Sequence, residues 1–319
     1  MRILYIYRDD VVSPGRKKYF KFIMEQLGHE VILYNAQRRI VKNQLTKKYI
    51  NKFKPDFIFF IDSTFIKNNF NVINYAKSKN ILIGFYGSYY PREVYYDDKW
   101  MGVWKSLDFI FSQNKIFHEF LKRNDINSYY LPSAFHTEQY YKILNDKVHD
   151  VSFCGRIASG INPREDKRVQ YIRSLKRYNI VVYGDAFKGN IGKIPVYSYD
   201  SHKRQLEIYS KTKINLGLVS FSGGHSIYKK TNHIKNRFFE IPATGNFLLT
   251  CRCPEFLDIF DEGIVGYYDD NTESLKENVN KYLKDKKLRR QMTERAYKLV
   301  HAKHTFKHRF KEMFKIIEK

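Results

Sequence analysis

The chain has 319 residues, is 43% hydrophobic and carries a formal net charge of +24, from 57 Lys and Arg against 33 Asp and Glu. This length suits two domains with separate cores better than one. The longest apolar runs, such as 57–61, fall far short of the roughly 20 residues of a membrane-spanning helix, so we predict no transmembrane segment. The sequence has only three cysteines, and charge follows the first apolar run at Arg8. Both features disfavour a secreted, disulfide-stapled domain, and we expect a cytoplasmic protein.

The basic excess is concentrated in two segments. Residues 38–54 contain seven basic residues and no acidic one, and residues 276–319 contain fifteen basic against five acidic residues. A field of this sign attracts polyanions such as nucleic acid, a phosphorylated substrate or an anionic membrane, here the inner membrane face. The alternative is a solvated basic surface without a partner, and the sequence leaves both open.

Hydrophobic spacing in the first half predicts alternating strands and helices. Gly28 follows the first helix at the position where a C′ glycine belongs. The predicted strands are 3–7, 31–34, 57–61, 81–85, 106–111 and 129–131, and the predicted helices are 15–27 and 72–79.

The pattern restarts after Lys147. The predicted strands there are 148–153, 180–183, 214–218, 247–249 and 266–268, and the predicted helices are 165–178, 204–210, 234–243, 273–284 and 288–317. Strands that alternate with helices favour parallel pairing in doubly wound sheets. We therefore predict an N-terminal domain over 1–147, a second domain over 148–300, and a C-terminal helix over 301–319 that packs back toward the first domain.

Several well-known motifs are missing from the sequence. No Gly-x-Gly-x-x-Gly follows the first strand, which disfavours a dinucleotide oxidoreductase, and no Walker lysine loop occurs. No His-Glu-x-x-His or other metal-ligand spacing is present, so we expect no metal site and no bound cofactor.

The segment 236–249 is the richest in chemistry. Arg237 and Glu240 are three residues apart in a predicted helix, so they share a face. The arginine can bind a diphosphate through its forked donors, and the carboxylate can accept two hydrogen bonds from a ribose diol. From the residues alone, an ordinary salt bridge between the two is the alternative.

This segment resembles the donor-binding helix of the GT-B glycosyltransferases, especially the spore-maturation-type family with its Arg-x-Phe-Glu followed by small residues and a glycine. The segment 150–156 is similar to that family's strand and glycine turn, and His304-Thr305 with Arg309 is similar to its closing helix. The resemblance implies an α/β fold of GT-B type, with two Rossmann-like domains, a cleft between them and a C-terminal helical segment. It also implies a nucleoside-diphosphate sugar as the donor, with a UDP-sugar as the expected form. The residues implied in donor binding are Gly155, Arg156, Arg164, Tyr183, Gly184, Arg237 and Glu240.

The donor half also resembles the phage DNA β-glucosyltransferase, in which two arginines of the first loop bind the diphosphate. Arg156 and Arg164 are the nearest matches. That family's catalytic base is an aspartate just after the fourth strand, a position that Gly87-Ser88 occupies here. The nearest acidic residues include Asp97 and Asp98, which we take as candidate catalytic residues, with a helix cap as the alternative.

Two further positions bear on the reaction. His225 lies in a glycine-containing loop before the donor helix, where it is a candidate contact to the sugar or a phosphate, or a solvated loop histidine. Retaining GT-B families usually have a second acid separated from the ribose glutamate by seven intervening residues, and Asn232 stands at that position relative to Glu240. The sequence therefore leaves a retaining or an inverting outcome open.

Three functions compete at this point. The first is a glycosyltransferase that acts on a surface-glycan precursor. The second is a DNA glycosyltransferase that acts on hydroxymethylated bases of duplex DNA, for which the basic surface would bind phosphates. The third is a non-catalytic polyanion-binding protein that kept the fold. The partners predicted are a nucleotide sugar, an acceptor glycan or duplex DNA, and an anionic membrane as a peripheral contact.

Overall fold

The computed structural model describes most of the chain and divides it into two compact units. The described residues are 1–7, 14–36, 42–61, 66, 69–87, 98–155, 157, 167–184, 189–198, 201–218 and 234–319. Unit 1 comprises Met1–Pro132 and Phe306–Lys319, and unit 2 comprises Ser133–Thr305.

Unit 1 contains a six-stranded sheet in which every pair of neighbours is parallel, in the order β2-β1-β3-β4-β5-β6. The strands are β1 Arg2–Tyr7, β2 Glu30–Asn35, β3 Phe57–Phe60, β4 Leu82–Gly87, β5 Phe109–Ser112 and β6 Ser128–Tyr130. The helices between them are α1 Pro14–Gln26, α2 Lys42–Phe53, α3 Phe70–Lys77, α4 Asp98–Lys105 and α5 Lys115–Arg123.

The first helix ends as its sequence predicts. Gly28 has φ +88, which a side chain would oppose, and the amide of His29 donates to the carbonyl of Met24 at 3.1 Å. This left-handed cap turns the chain directly into β2.

Unit 2 contains a seven-stranded sheet in the order β13-β12-β11-β7-β8-β10-β9, parallel except where β9 meets β10. The strands are β7 His149–Cys154, β8 Ile180–Gly184, β9 Gly189–Ile191, β10 Ile194–Ser198, β11 Thr212–Gly217, β12 Leu248–Cys251 and β13 Gly266–Tyr268. The helices are α6 Lys167–Ser174, α7 His202–Lys211, α8 Arg237–Ala243, α9 Pro254–Leu257, α10 Thr272–Lys284 and α11 Lys286–Lys303, after which α12 Phe306–Ile317 returns to unit 1. The predicted α/β class with two Rossmann-like sheets and a helical C-terminus is confirmed.

The contacts divide the chain after Pro132, although the sequence pattern restarts after Lys147. Residues 133–147 pack in unit 2 through buried and half-buried polar contacts. The hydroxyl of Tyr140 donates to Gln205 Oε1 at 2.8 Å, and Lys147 Nζ donates to Asn246 Oδ1 at 2.6 Å. Because this segment forms no named strand or helix, its hydrophobic spacing does not indicate which unit it joins.

The segment 288–317, predicted to be helical, forms two helices, α11 and α12, with a break at His304 and Thr305. There the amide of Phe135 donates to the carbonyl of His304 at 3.3 Å, and Phe135 forms a bridge with Thr305. The C-terminal helix α12 starts directly after this break, at Phe306. The β9-β10 hairpin was not predicted, because β10 alternates only weakly between buried and exposed residues.

Helix α12 completes an aromatic core on one face of the unit 1 sheet. The ring of Phe310 lies 4.9 Å from that of Phe20, 5.8 Å from that of Phe59 and 6.3 Å from that of Tyr86. The buried Arg309 donates from Nε to the carbonyl of Pro132 at 2.9 Å. Apolar burial on this scale is what holds a terminal helix in place.

Candidate functional site

The unit 2 sheet changes winding direction between β7 and β11. From β7 the chain continues to β8 and β10 on one side, and from β11 it continues to β12 and β13 on the other. Ligands of open parallel sheets bind outside the carboxyl ends of the strands at such a switch point. Here these ends are Cys154, followed by Gly155, and Gly217.

Two glycines at this edge receive the first two residues of α8. A Cβ on Gly155 would overlap the guanidinium of Arg237, and a Cβ on Gly217 would overlap the ring of Phe238. The ring of Phe238 is fully buried and packs edge-on against Phe256 at 4.4 Å. Phe238 therefore anchors the helix, while the absence of side chains at both glycines lets Arg237 lie directly on the end of β7.

The guanidinium of Arg237 lies against an aromatic ring. Its Cζ atom lies 5.2 Å from the ring centroid of Phe153, and its Nη1 atom is buried without a hydrogen-bond partner among the described residues. A buried guanidinium donor costs free energy until an acceptor reaches it. The arrangement therefore favours an anion at the carboxyl end of β7.

Glu240 lies one turn further along α8 and is 7% exposed. Its amide donates to the carbonyl of Asn236 at 2.9 Å, which fixes its place in the helix. Burial raises the pKa of Tyr209 well above its usual value, the charge of Glu240 adds to this rise, and that of Arg237 opposes it. Both charged groups thus act on the same buried phenol.

A chain of buried hydrogen bonds holds the hydroxyl of Tyr209 in place, and it was not predicted from the sequence. The hydroxyl of Tyr140 donates to Gln205 Oε1, and Gln205 Nε2 donates to the hydroxyl of Tyr209 at 2.6 Å. The Gln205–Tyr209 spacing of four on a helix was the available signal, but Tyr140 is distant in sequence.

Tyr183 and Gly184 end the neighbouring strand β8. The amide of Gly155 donates to the carbonyl of Tyr183 at 2.9 Å, so the two strand ends are joined. The ring of Tyr183 lies 5.3 Å from that of Tyr197, and a Cβ on Gly184 would lie 3.1 Å from Val196 Cγ1. Of the residues implied in donor binding, unit 2 therefore brings together Gly155, Tyr183, Gly184, Arg237 and Glu240.

The other candidate site residues are not placed in this way. Arg156, Arg164, His225 and Asp97 lie outside the described residues. Asp98 is the first residue of α4 in unit 1, and its side chain is not described.

Two structural features limit what surrounds the candidate residues. Trp100 and Trp104 of α4 stack at 5.2 Å in the core of unit 1 and are at most 4% exposed, so they do not line a site. Helix α8 begins at Arg237, three residues later than predicted, and has seven residues. So short a helix contributes little through its dipole, and the side chain of Arg237 is the stronger positive group.

The model of a family described as Glycosyl transferase-like matches residues 164–315, which include α8 and its arginine and glutamate. This match covers a little less than half of the chain, so it shows a similarity of residues 164–315 to that family. A search of curated proteins finds no significant match to this sequence.

Solved structures of other proteins match this chain over nearly its whole length. Sucrose-phosphate synthase from Thermosynechococcus elongatus superposes with a TM-score of 0.70 at 10% identity, over 100% of this chain and 98% of that chain. HepE from Anabaena, in complex with UDP-glucose, gives 0.66 at 10% identity, over 100% and 99%. The α,α-trehalose 6-phosphate synthase from Burkholderia multivorans gives 0.63 at 9% identity, over 98% and 97%.

At such low identity these structures establish the fold alone, which is GT-B. Together with the family match, the fold supports a glycosyltransferase of GT-B type. The finer resemblances to the spore-maturation-type family and to the phage DNA β-glucosyltransferase stay predictions. No helix within the described ranges is long and apolar enough to cross a membrane.

Proposed function

We propose that the protein transfers a sugar from a nucleoside-diphosphate sugar, with a UDP-sugar as the donor, to an acceptor hydroxyl. The observation that carries the proposal is the buried Nη1 of Arg237, which lies on Gly155 at the switch point of unit 2 and has no hydrogen-bond partner among the described residues. A diphosphate supplies the acceptor atoms that this guanidinium lacks among the described residues. The complex of HepE with UDP-glucose, a protein of the same fold, supports UDP as the nucleotide.

In this proposal each donor-site residue has a distinct role. Arg237, aided by Arg156 and Arg164, binds the diphosphate and stabilises the charge that develops when the bond to the anomeric carbon breaks. Glu240 accepts hydrogen bonds from the ribose diol. Tyr183 and Gly184 border the nucleotide base. His225 contacts the sugar or a phosphate.

The acceptor hydroxyl attacks the anomeric carbon, and its proton passes to a general base. We propose Asp97 or Asp98 as that base. The corresponding Asn variants should lose turnover and keep their affinity for the donor. Full activity in both single variants would exclude the two aspartates and direct the search to Glu93, His225 or the acceptor itself.

A surface-glycan precursor is the acceptor that we propose. Transfer to hydroxymethylated duplex DNA is the second candidate, since the net charge of +24 would favour a polyanionic acceptor. Incubation with a panel of nucleotide sugars, with and without hydroxymethylated DNA, followed by mass spectrometry, separates the two. A mass gain on the DNA would replace the glycan proposal.

Calorimetric titration with UDP, ADP and GDP tests the donor site directly. Glu240→Gln should weaken binding of the preferred nucleotide by about 1–3 kcal/mol, because the ribose diol loses a charged acceptor. Glu277→Gln, at an exposed carboxylate on α10, makes the same chemical change away from the site and should leave binding intact. Equal affinities in the wild type and Glu240→Gln for all three nucleotides would refute the assignment.

A further inference from the structure

A strongly basic surface lies in unit 1. Helices α2 and α3 pack side by side. Two lysines lie close to the ring of Tyr75 in α3: Nζ of Lys47, in α2, is 5.0 Å from the ring centroid, and Nζ of Lys79, two residues after the end of α3, is 5.9 Å from it. Two cations on one ring, which is itself only half-buried, form a concentrated positive site.

No acidic side chain of the described residues forms an ion pair with these lysines. The segments 42–54 and 70–80 contain no Asp or Glu. The exposed Lys48 and Lys52 likewise form no ion pair with a carboxylate in the part of the chain that the structure describes. We call these four lysines, together with Tyr49 and Tyr75, the lysine surface.

Helix α2 is amphipathic, and its inner face is already occupied. Thr46, Ile50 and Phe53 are buried at spacings of four and three, and Ile50 and Phe53 belong to the core of unit 1. The outer face carries Lys48, Lys52 and the 42% exposed ring of Tyr49, so contact with a partner must be made through charge and an aromatic edge.

The composition of the surface distinguishes between polyanions. Neither 42–54 nor 70–80 contains an arginine, the residue whose planar fork suits paired recognition of phosphates in nucleic acid. Arg2 lies 4.5 Å from the ring of Phe53 but is paired with Glu30 at 3.2 Å, and Arg38 and Arg39 lie outside the described residues. Lysines are hydrated point charges that respond to the diffuse potential of an anionic bilayer. Tyrosine rings such as that of Tyr49 are enriched at the headgroup level of membranes.

We propose that the lysine surface docks unit 1 on the anionic face of a lipid bilayer. Attraction by the surface potential extends over about one Debye length, roughly 8 Å at physiological salt, so exposed side chains need not insert. The binding is peripheral and reversible, and it needs no nucleotide. It is therefore independent of the proposed donor chemistry.

Vesicle sedimentation of the full chain tests the proposal. Phosphatidylcholine vesicles are compared with vesicles in which a third of the lipid is phosphatidylglycerol, over a salt series that includes physiological ionic strength. The protein should bind only the anionic vesicles. Lys48→Glu combined with Lys52→Glu should lower the partition coefficient at least about 25-fold, at about fivefold for each lysine.

A matched double variant controls for net charge. Lys286→Glu with Lys287→Glu alters two exposed lysines of unit 2 and changes the net charge equally. It should retain most of the vesicle binding. Equal loss in both double variants, no binding to anionic vesicles at physiological salt, or tighter binding to duplex DNA that the same Lys48 and Lys52 variant abolishes would each overturn the proposal.

Discussion

The guanidinium of Arg237 lies directly on the α-carbon of Gly155, in the space that any other residue's Cβ would fill. The two residues are 82 positions apart in the sequence, and the guanidinium can lie there only because residue 155 has no side chain. The absence of a side chain at Gly155 leaves room for the guanidinium, and Arg237 places there a buried donor that has no hydrogen-bond partner in the part of the chain that the structure describes. The proposed diphosphate site depends on this pair.

Gly155→Ala should weaken nucleotide diphosphate binding at least tenfold, or about 1.4 kcal/mol. Its φ is not in the left-handed region, and the overlapping atoms are the mobile end of a side chain, so the protein should fold with little loss of stability. Gly102→Ala in α4 is the matched control, because a Cβ there has no neighbour within 4 Å. Calorimetry and thermal unfolding together check both variants. Unchanged affinity in Gly155→Ala would contradict the proposal that the contact between Gly155 and Arg237 forms the diphosphate site.

Arg237→Met should abolish nucleotide binding and leave the protein equally or more stable, by up to about 1–2 kcal/mol. Methionine keeps the apolar contact with Phe153 and removes a buried donor that has no partner among the described residues. Arg237→Lys retains the charge without the fork and should bind weakly. Denaturant unfolding measures the stability, and a destabilisation by Met above about 1 kcal/mol would show that the arginine serves the fold.

Phe310→Ala should destabilise unit 1 by about 3–5 kcal/mol. The ring is 1% exposed and packs against Phe20, Phe59 and Tyr86, so its removal leaves a cavity in the aromatic core. Exposed Lys311→Ala on the same helix should change stability by less than about 0.5 kcal/mol. Chemical denaturation of both variants provides the comparison, and similar small effects would mean that α12 contributes little to this core.

Acidification below about pH 6.5 should destabilise the wild type more than His29→Gln. Burial lowers the pKa of His29 below its usual value, the amino group of Met1 lowers it further, and Glu318 opposes them. The unfolded chain therefore binds a proton at a higher pH than the folded one, so stability is lost as the pH falls from the unfolded toward the folded pKa. Unfolding free energies of both proteins at several pH values test this, and parallel curves would exclude a role for His29.

The sequence by itself determined the fold class. Apolar runs spaced by helical segments predicted eleven of the thirteen strands, because buried parallel strands read as short, nearly continuous hydrophobic runs. It also determined the end of α1, since Gly28 alone accepts the backbone angle there at no steric cost. The Arg237 and Glu240 pair was found for a similar reason: a spacing of three is a local property of a helix.

Tertiary structure decided what depends on distant contacts. Residues 133–147 belong to unit 2 because of hydrogen bonds such as that from Tyr140 to Gln205, which are 65 positions apart. Pairing with Phe135 causes the helix break at His304. Gln205, which accepts the hydrogen bond from Tyr140, in turn donates to the hydroxyl of Tyr209. Local spacing records which residues face inward, whereas only the folded chain records which of them meet. For that reason Gly155 is identifiable in the sequence as a turn glycine, and only the structure shows that the guanidinium of Arg237 packs on it.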